Sequence, residues 1–492
     1  MKYYIGADLG TSSVKLILCD ADGEIVKTVT KYYDVSYPHP GWSEQSPSDW
    51  WNAFSAGVKE LAEGIDGICG ISVAGQMHGL VILDKDDNVI RPAILWNDGR
   101  TFAETEYLNT VIGKQKLSEH TANIAFAGFT APKILWVKNN EPENFARIAK
   151  IMLPKDYINY RITKVHATEY SDAAGMLLLD VKNKCWSKEM LDICSIDESK
   201  MPELFESYEC IGTVSSDVAK KLGLSQNVKV IAGAADNAAA AIGTGTVGNG
   251  KCNISLGTSG TVVISSDKFS VDANNSLHAF CHADGGYYLM GCMLSAASCN
   301  KWFCEEVLET EDFAAEQAAI TEDMLGNNNV YFLPYLMGER CPVNDTNASG
   351  MFIGLRPDST RADMLQAVLE GVAFAIRDNV EVAKSLGINI ERSTVCGGGA
   401  RSELWLKIIS NVLNIELQVP MAEEGPSLGA ARLAMVGCGE YASVAECATV
   451  EIKNTVKPDK MLAERYEKKY KKFKEIYPNT KELFRTLMEE NK

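Results

Sequence analysis

Leu9-Gly10-Thr11-Ser12-Ser13-Val14-Lys15-Leu16-Ile17-Leu18-Cys19-Asp20 stands near the start of this 492-residue chain, and Leu256-Gly257-Thr258-Ser259-Gly260-Thr261-Val262-Val263-Ile264-Ser265-Ser266-Asp267 begins its second half. Laid over one another, the two share Leu, Gly, Thr, Ser, the Ile at 17 and 264, and the closing Asp. The first sits in a hairpin pattern. Tyr3 to Ala7 reads as a strand, Val14 to Asp20 as a second, and Asp22-Gly23 turns the chain into a third. A tip of Gly, Thr and Ser can wrap phosphate oxygens with backbone N–H and hydroxyl groups. Gly10, Thr11 and Ser12 are therefore candidate phosphate contacts, and Lys15 adds positive charge. Asp8, at the strand end, could hold Mg2+ through water, since that ion prefers few carboxylates and several waters. Alone, such a tip is better explained as an ordinary turn.

The recurrence at the scale of a domain changes that balance. Two related halves, each with a phosphate hairpin (Gly257 and Thr258 in the second), would grip one triphosphate from both sides. The fold expected is α/β: two actin-like (ribonuclease H-like) ATPase domains with a cleft between them, residues 1–246 and 247–492. A chain this long exceeds one core in any case.

Composition is that of a globular protein, 46% hydrophobic and 23% charged. The net charge of -17 argues against nucleic acid or an anionic membrane as partner, but not against phosphate ligands, which local donors and a metal can hold. No apolar run reaches membrane-spanning length. The 14 cysteines are scattered without metal-ligand spacing, so free thiols in a reducing cytoplasm are expected.

In mid-chain stands Ile231-Ala232-Gly233-Ala234-Ala235-Asp236-Asn237-Ala238-Ala239-Ala240-Ala241-Ile242-Gly243. Val228 to Ile231 reads as a buried strand and the Ala run as a helix, placing Asp236 at the junction. The bland reading is a helix N-cap. The sharper one is a carboxylate aimed into a cleft as a general base. Upstream, Trp50 to Leu61 reads as a helix and Gly67 to Val73 as a strand, running into Ala74-Gly75-Gln76-Met77-His78-Gly79. Leu80 to Asp84 and Val89 to Leu95 read as a hairpin. Gln76-Met77-His78 is a plausible small-molecule tip, although a lone His is more often structural. Trp96 is either core or a wall against the apolar face of a sugar.

Gly245 to Cys252 nearly matches a P-loop, but Cys replaces the Mg2+-binding hydroxyl and the stretch precedes a strand, so it reads as a link with Lys251 solvated. Thr394 to Cys396, a strand, runs into Gly397-Gly398-Gly399 and then a helix from Glu403 to Leu413. Gly398 and Gly399 would let the backbone approach an adenosine ring, or merely make a tight connection. In the charged tail from Lys457, the residues Tyr466, Tyr470, Phe473, Ile476 and Tyr477 form a helical stripe, read as a docked surface helix.

Several longer stretches then carry a family resemblance. They are Gly75 to Gly79, Pro92 to Arg100, Gly128 to Lys133, Leu153 to Tyr157, Ser171 to Gly175, Leu294 to Cys299, and Phe332 to Leu336 with Gly338 to Arg340. The chain resembles the FGGY carbohydrate kinases, whose two signature patterns fall on Gly128 to Asn140 and Gly350 to Glu370. The resemblance implies a sugar kinase with ATP and Mg2+ in the interdomain cleft and Asp236 as catalytic carboxylate. It puts the sugar loop on Met77-His78, with Asn237 beside the acid and Gln76 and Trp96 as the further candidate sugar contacts read from the residues, and the Gln-Met-His loop points to a ketopentose. It puts the nucleotide at Gly10, Thr11, Ser12, Lys15, Gly257, Thr258, Gly398 and Gly399, and leaves a homodimer open. Two positions depart from the family: Ala234-Ala235, where Gly is usual, would add methyls near the cleft, and Cys341 replaces a common Thr. Within the family the alternative is a kinase for another ketopentose, a polyol or an aldonate; a non-kinase actin-like ATPase and a sugar-sensing regulator are the rival readings from other classes.

Overall fold

The structure, a computed structural model, describes residues 1–421 and 425–489. Its first half contains the major elements β1 (Tyr3–Leu9), β2 (Ser13–Asp20), β3 (Ile25–Tyr32), α1 (Pro47–Ala62), β4 (Ile68–Gly75), α2 (Pro154–Thr163), β5 (Cys210–Thr213), β6 (Lys229–Ala235) and α3 (Asp236–Gly243). The second contains β7 (Cys252–Leu256), β8 (Gly260–Ser266), β9 (His278–Cys281), β10 (Tyr287–Met293), α4 (Arg361–Ser385), β11 (Arg392–Cys396), α5 (Glu403–Leu413), β12 (Glu416–Pro420), α6 (Pro426–Cys438), β13 (Ile452–Val456) and α7 (Lys460–Glu489).

The two sheets repeat one topology. The first has strand order β5-β6-β4-β1-β2-β3 and the second β9-β10-β8-β7-β11-β12-β13. In each, the opening strand (β1 or β7) pairs antiparallel with its hairpin partner and parallel with the strand that follows a long helix (β4 or β11). The sequence echo is therefore a structural echo: Leu9 to Asp20 and Leu256 to Asp267 are the same turn between corresponding interior strands of two related sheets.

Alternation along the strands fills both faces of the first sheet. Ile5, Ala7 and Leu9 pack with Trp50, Phe54 and Ile158 from α1 and α2. Tyr4, Ile17 and Cys19 face the other way and are covered by Leu428, Ala431 and Met435 of α6, a helix from the second half. Only glycine permits the approach: a Cβ on Gly6 would stand 2.0 Å from the Ser427 carbonyl oxygen. α6 also crosses α3, where a Cβ on Gly429 would lie 1.8 Å from the Ala239 oxygen. The tail stripe docks as expected, with Tyr466, Tyr470 and Phe473 against Phe374 of α4.

Two expectations need correction. Val81–Leu83 pairs with Lys150–Met152, and Ala93–Ile94 with Glu44–Gln45, so the chain from 80 to 95 is not a regular hairpin and meets itself only at isolated bridges. Ala234 and Ala235 are fully buried in β6, so their methyls thicken the core and do not narrow the cleft. Residues 245–251 form the expected link, with Lys251 exposed. All 14 cysteines are free, and no described helix is long and apolar enough to cross a membrane.

Candidate active site

β6 delivers Asp236 to the first turn of α3, one residue past the cap position, which Ala235 occupies. The carboxylate is half-buried. Its Oδ1 accepts the Asn237 N–H at 2.6 Å and Asn237 Nδ2 at 2.8 Å. Burial pushes the carboxyl up to about 6, against the pull of those two donors. Among the described residues no group bonds Oδ2, so one lone-pair face is held and the other is left for a ligand. Asn237 Nδ2 also lies 3.8 Å from Met77 Sδ, which joins the Gln-Met-His tip to the acid.

His78 sits in that tip with a left-handed backbone (φ 69°). Its carbonyl accepts from Lys133 Nζ at 2.8 Å and Thr130 Oγ1 at 3.0 Å, which pins the turn. The ring stacks on Phe129 at 4.5 Å, and Nδ1 lies 2.6 Å from the Gly175 oxygen. Burial, then the neighbouring Lys133, pushes the imidazole down to about 3, so the ring is neutral near pH 7. A carbonyl can only accept, so Nδ1 carries the proton and Nε2 keeps a bare lone pair.

Gln76 and Trp96 stand beside the first hairpin. Gln76 is buried, accepts from Thr11 Oγ1 at 3.2 Å and donates to Gln45 Oε1 at 3.2 Å. Trp96 is 45% exposed, which excludes a core role, and its Nε1 donates to Thr11 Oγ1 at 3.0 Å.

Both hairpin tips are tied back by the same carbonyls. In the first, Tyr33 Oη donates to the Gly10 oxygen at 2.7 Å and Gln45 Nε2 to the Thr11 oxygen at 2.6 Å. In the second, the Gly257 oxygen accepts from Ala297 N at 2.8 Å, and the Thr258 oxygen from Ala296 N at 2.9 Å and Ser298 Oγ at 2.7 Å. A trans peptide points its N–H opposite its carbonyl. The N–H groups of Thr11, Ser12, Thr258 and Ser259 therefore face away from the braces. Asp8 and Lys15 are direct cross-strand partners in β1 and β2, so the expected metal ligand and cation stand side by side.

Gly257, Thr258, Gly398 and Gly399 line one cavity of about 780 Å3, walled by Phe313 and Trp405. The two glycines differ. A Cβ on Gly398 would meet nothing within 4 Å, whereas one on Gly399 would meet Leu256 Cβ at 2.9 Å and Trp405 at 3.0 Å. Gly398 thus faces open space, and Gly399 serves packing.

The remaining family stretches brace the site. Ala235 N donates to Ser171 Oγ at 3.0 Å, fixing the peptide before Asp236. Lys155, fully buried, pairs with Asp156 at 2.7 Å and lies 3.4 Å from Glu169 and 3.6 Å from Asp172. Burial opposes its charge, but those three carboxylates keep it protonated. The roles of Lys133, Lys155 and Ser171 are not legible in the sequence, since a lysine or serine carries no local mark of burial.

Residues 3–243 match the N-terminal domain, and residues 252–438 the C-terminal domain, of the FGGY family of carbohydrate kinases. The chain belongs to that family. It is 40% identical to the xylulose kinase of Escherichia coli K12, across 96% of this chain and 98% of the relative. Among solved structures it superimposes at TM-score 0.93 on a "xyloylose kinase" of Brucella ovis, 39% identical, covering 98% of this chain and all of that one. It also matches a gluconate kinase of Lactobacillus acidophilus at TM-score 0.92 and 28% identity, covering 97% of this chain and 98% of the neighbour.

Proposed function

We propose that the protein transfers the terminal phosphoryl group of ATP to the C5 hydroxyl of D-xylulose, with Asp236 as general base. The observation that carries this reading is Asp236 itself: a half-buried carboxylate, one oxygen held by Asn237 and the other unbonded, with the Asn237 amide against Met77 of the Gln-Met-His tip. Its Oδ2 accepts the hydroxyl proton as the new O–P bond forms and the bridging bond to ADP breaks. A loose phosphoryl-transfer transition state asks mostly for position and charge neutralisation, so a weak base suffices. The N–H groups of both hairpin tips hold the phosphates, Lys15 adds charge, and the cavity at Gly398 receives the adenosine ring.

The fit to Mg2+ is a matter of donor chemistry. Asp8 stands at the end of β1 opposite Lys15, a single carboxylate beside the first hairpin tip, which suits the outer ligand of an ion carried mainly by phosphate and water. When bound, Mg2+ supplies neutralisation of the phosphate oxygens. Closure of the two halves would exclude water and limit wasteful hydrolysis. The free thiols suit a reducing cytoplasm.

The likeness to a gluconate kinase keeps an aldonate as the second reading. A coupled ADP-release assay with ketoses, polyols and aldonates tests both. Release that depends on D-xylulose supports the proposal, and release that depends only on an aldonate overturns it.

A further inference from the structure

A half-buried guanidinium approaches the His78 loop from the other half of the chain. Arg340 holds its Cζ 5.0 Å over the ring of Phe126. Phe126 packs at 4.9 Å against His278 and at 5.5 Å against Phe129, the ring stacked on His78. The adjacent Glu339 accepts the Leu294 N–H at 2.9 Å and the Arg340 N–H at 2.7 Å on Oε1, while its buried Oε2 has no hydrogen-bond partner and feels the Arg340 charge without forming an ion pair with it. Among the described residues no carboxylate forms an ion pair with the Arg340 side chain. Its polar neighbour is the Cys292 thiol, on the strand that pairs with the second phosphate hairpin. Its charge also reaches His78 and His278, adding to the burial that keeps both rings neutral. With no carboxylate at ion-pair distance among the described residues, this guanidinium keeps donors for a ligand.

We propose that Arg340 is a specificity-determining residue that, with His78 Nε2, reads the α-hydroxyketone end of the sugar. The inference rests on the ketopentose reading and deepens it. A guanidinium only donates, and the bare Nε2 only accepts. A ketol presents the complement on adjacent carbons: a C2 carbonyl that only accepts, and a C1 hydroxyl that can donate. The Arg340 charge acts on His78, and Cys292 feels both Arg340 and Asp236, so a five-carbon chain held by its C5 hydroxyl at Asp236 can reach His78 and Arg340 with its other end. A carboxylate at that end would satisfy Arg340 but set an oxygen lone pair against Nε2. A pentitol replaces the carbonyl with a hydroxyl and loses the strict match.

The test compares wild type, Arg340→Met and Arg340→Lys in the full chain. D-Xylulose is read by ADP release, and xylitol by its inhibition constant against D-xylulose. The R340M variant is expected to lower kcat/KM for D-xylulose about 10- to 100-fold through KM, the scale of a lost charged hydrogen bond. The ATP KM should hold, the xylitol constant should change less than about three-fold, and R340K should fall between. If R340M does not fold, R340K carries the test by still narrowing the preference for ketose over pentitol. Equal weakening of both sugars, or an unchanged D-xylulose KM, overturns the inference alone. A wild-type chain without D-xylulose-dependent ADP release overturns the parent reading as well.

Discussion

Replacing Asp236 by Asn separates chemistry from stability. Burial lifts this carboxyl from its ordinary 3.8 to about 6. A rise of one pH unit in a carboxyl's titration midpoint is worth about 1.4 kcal/mol, so the ionised side chain costs the native state at most about 3 kcal/mol. Partial solvation reduces that to roughly 1–2 kcal/mol. The sign follows from linkage. Between 3.8 and about 6 the native state binds the proton more tightly than the unfolded chain, so this group's contribution falls as pH rises through that window. Asn keeps an oxygen for the Asn237 N–H and carries no charge. D236N is therefore expected to be more stable than wild type by roughly 1–2 kcal/mol in denaturant titrations above about pH 6, with the gain fading below about pH 4. Its sugar phosphorylation should drop about 10²- to 10⁴-fold while ATP binding is spared. Wild-type kcat/KM should decline as pH falls below about 6, where the base is protonated. Normal turnover by D236N, or a wild-type rate flat from about pH 5 to 8, refutes the assignment of Asp236 as base.

The other expectations follow from packing around the site. Gly398→Ala places a methyl in open space, so melting should be unchanged while the ATP KM rises several-fold. Gly399→Ala drives a methyl into Leu256 and Trp405 and should cost about 1–3 kcal/mol of stability, read by denaturation. Lys155→Met leaves Asp156, Glu169 and Asp172 without their cation and should destabilise by about 3–5 kcal/mol, seen in the same titration. Lys133→Met leaves the His78 carbonyl with Thr130 as its one remaining donor and should raise the sugar KM with the ATP KM held, measured by steady-state kinetics.

What could be read from the residues was what is local. The Gly-Thr-Ser tips, the strand into Asp236, the Gly397–Gly399 turn and the aromatic stripe at 466–477 each announce themselves within about a dozen positions. What could not be read depends on contacts distant in sequence. Val81–Leu83 pairs with Lys150–Met152, far along the chain, and not with the nearer 89–95 segment. Lys133 and Lys155 look like solvated cations until the fold buries them. Trp96 carried two readings, and only its half-exposed setting beside Thr11 decides between them. Arg340 is ordinary until Phe126 comes beneath it.

The seating of α6 against β1 and β4 bears on how the polypeptide emerges from the ribosome. Tyr4, Ile17 and Ile231 must wait for Leu428 and Met435 before their side of the sheet is dry. Until then a nascent chain with every strand of its first sheet made still presents a greasy flank, a natural target for a holding chaperone. A fragment stopped short of position 426 should therefore clump rather than persist as a free-standing lobe.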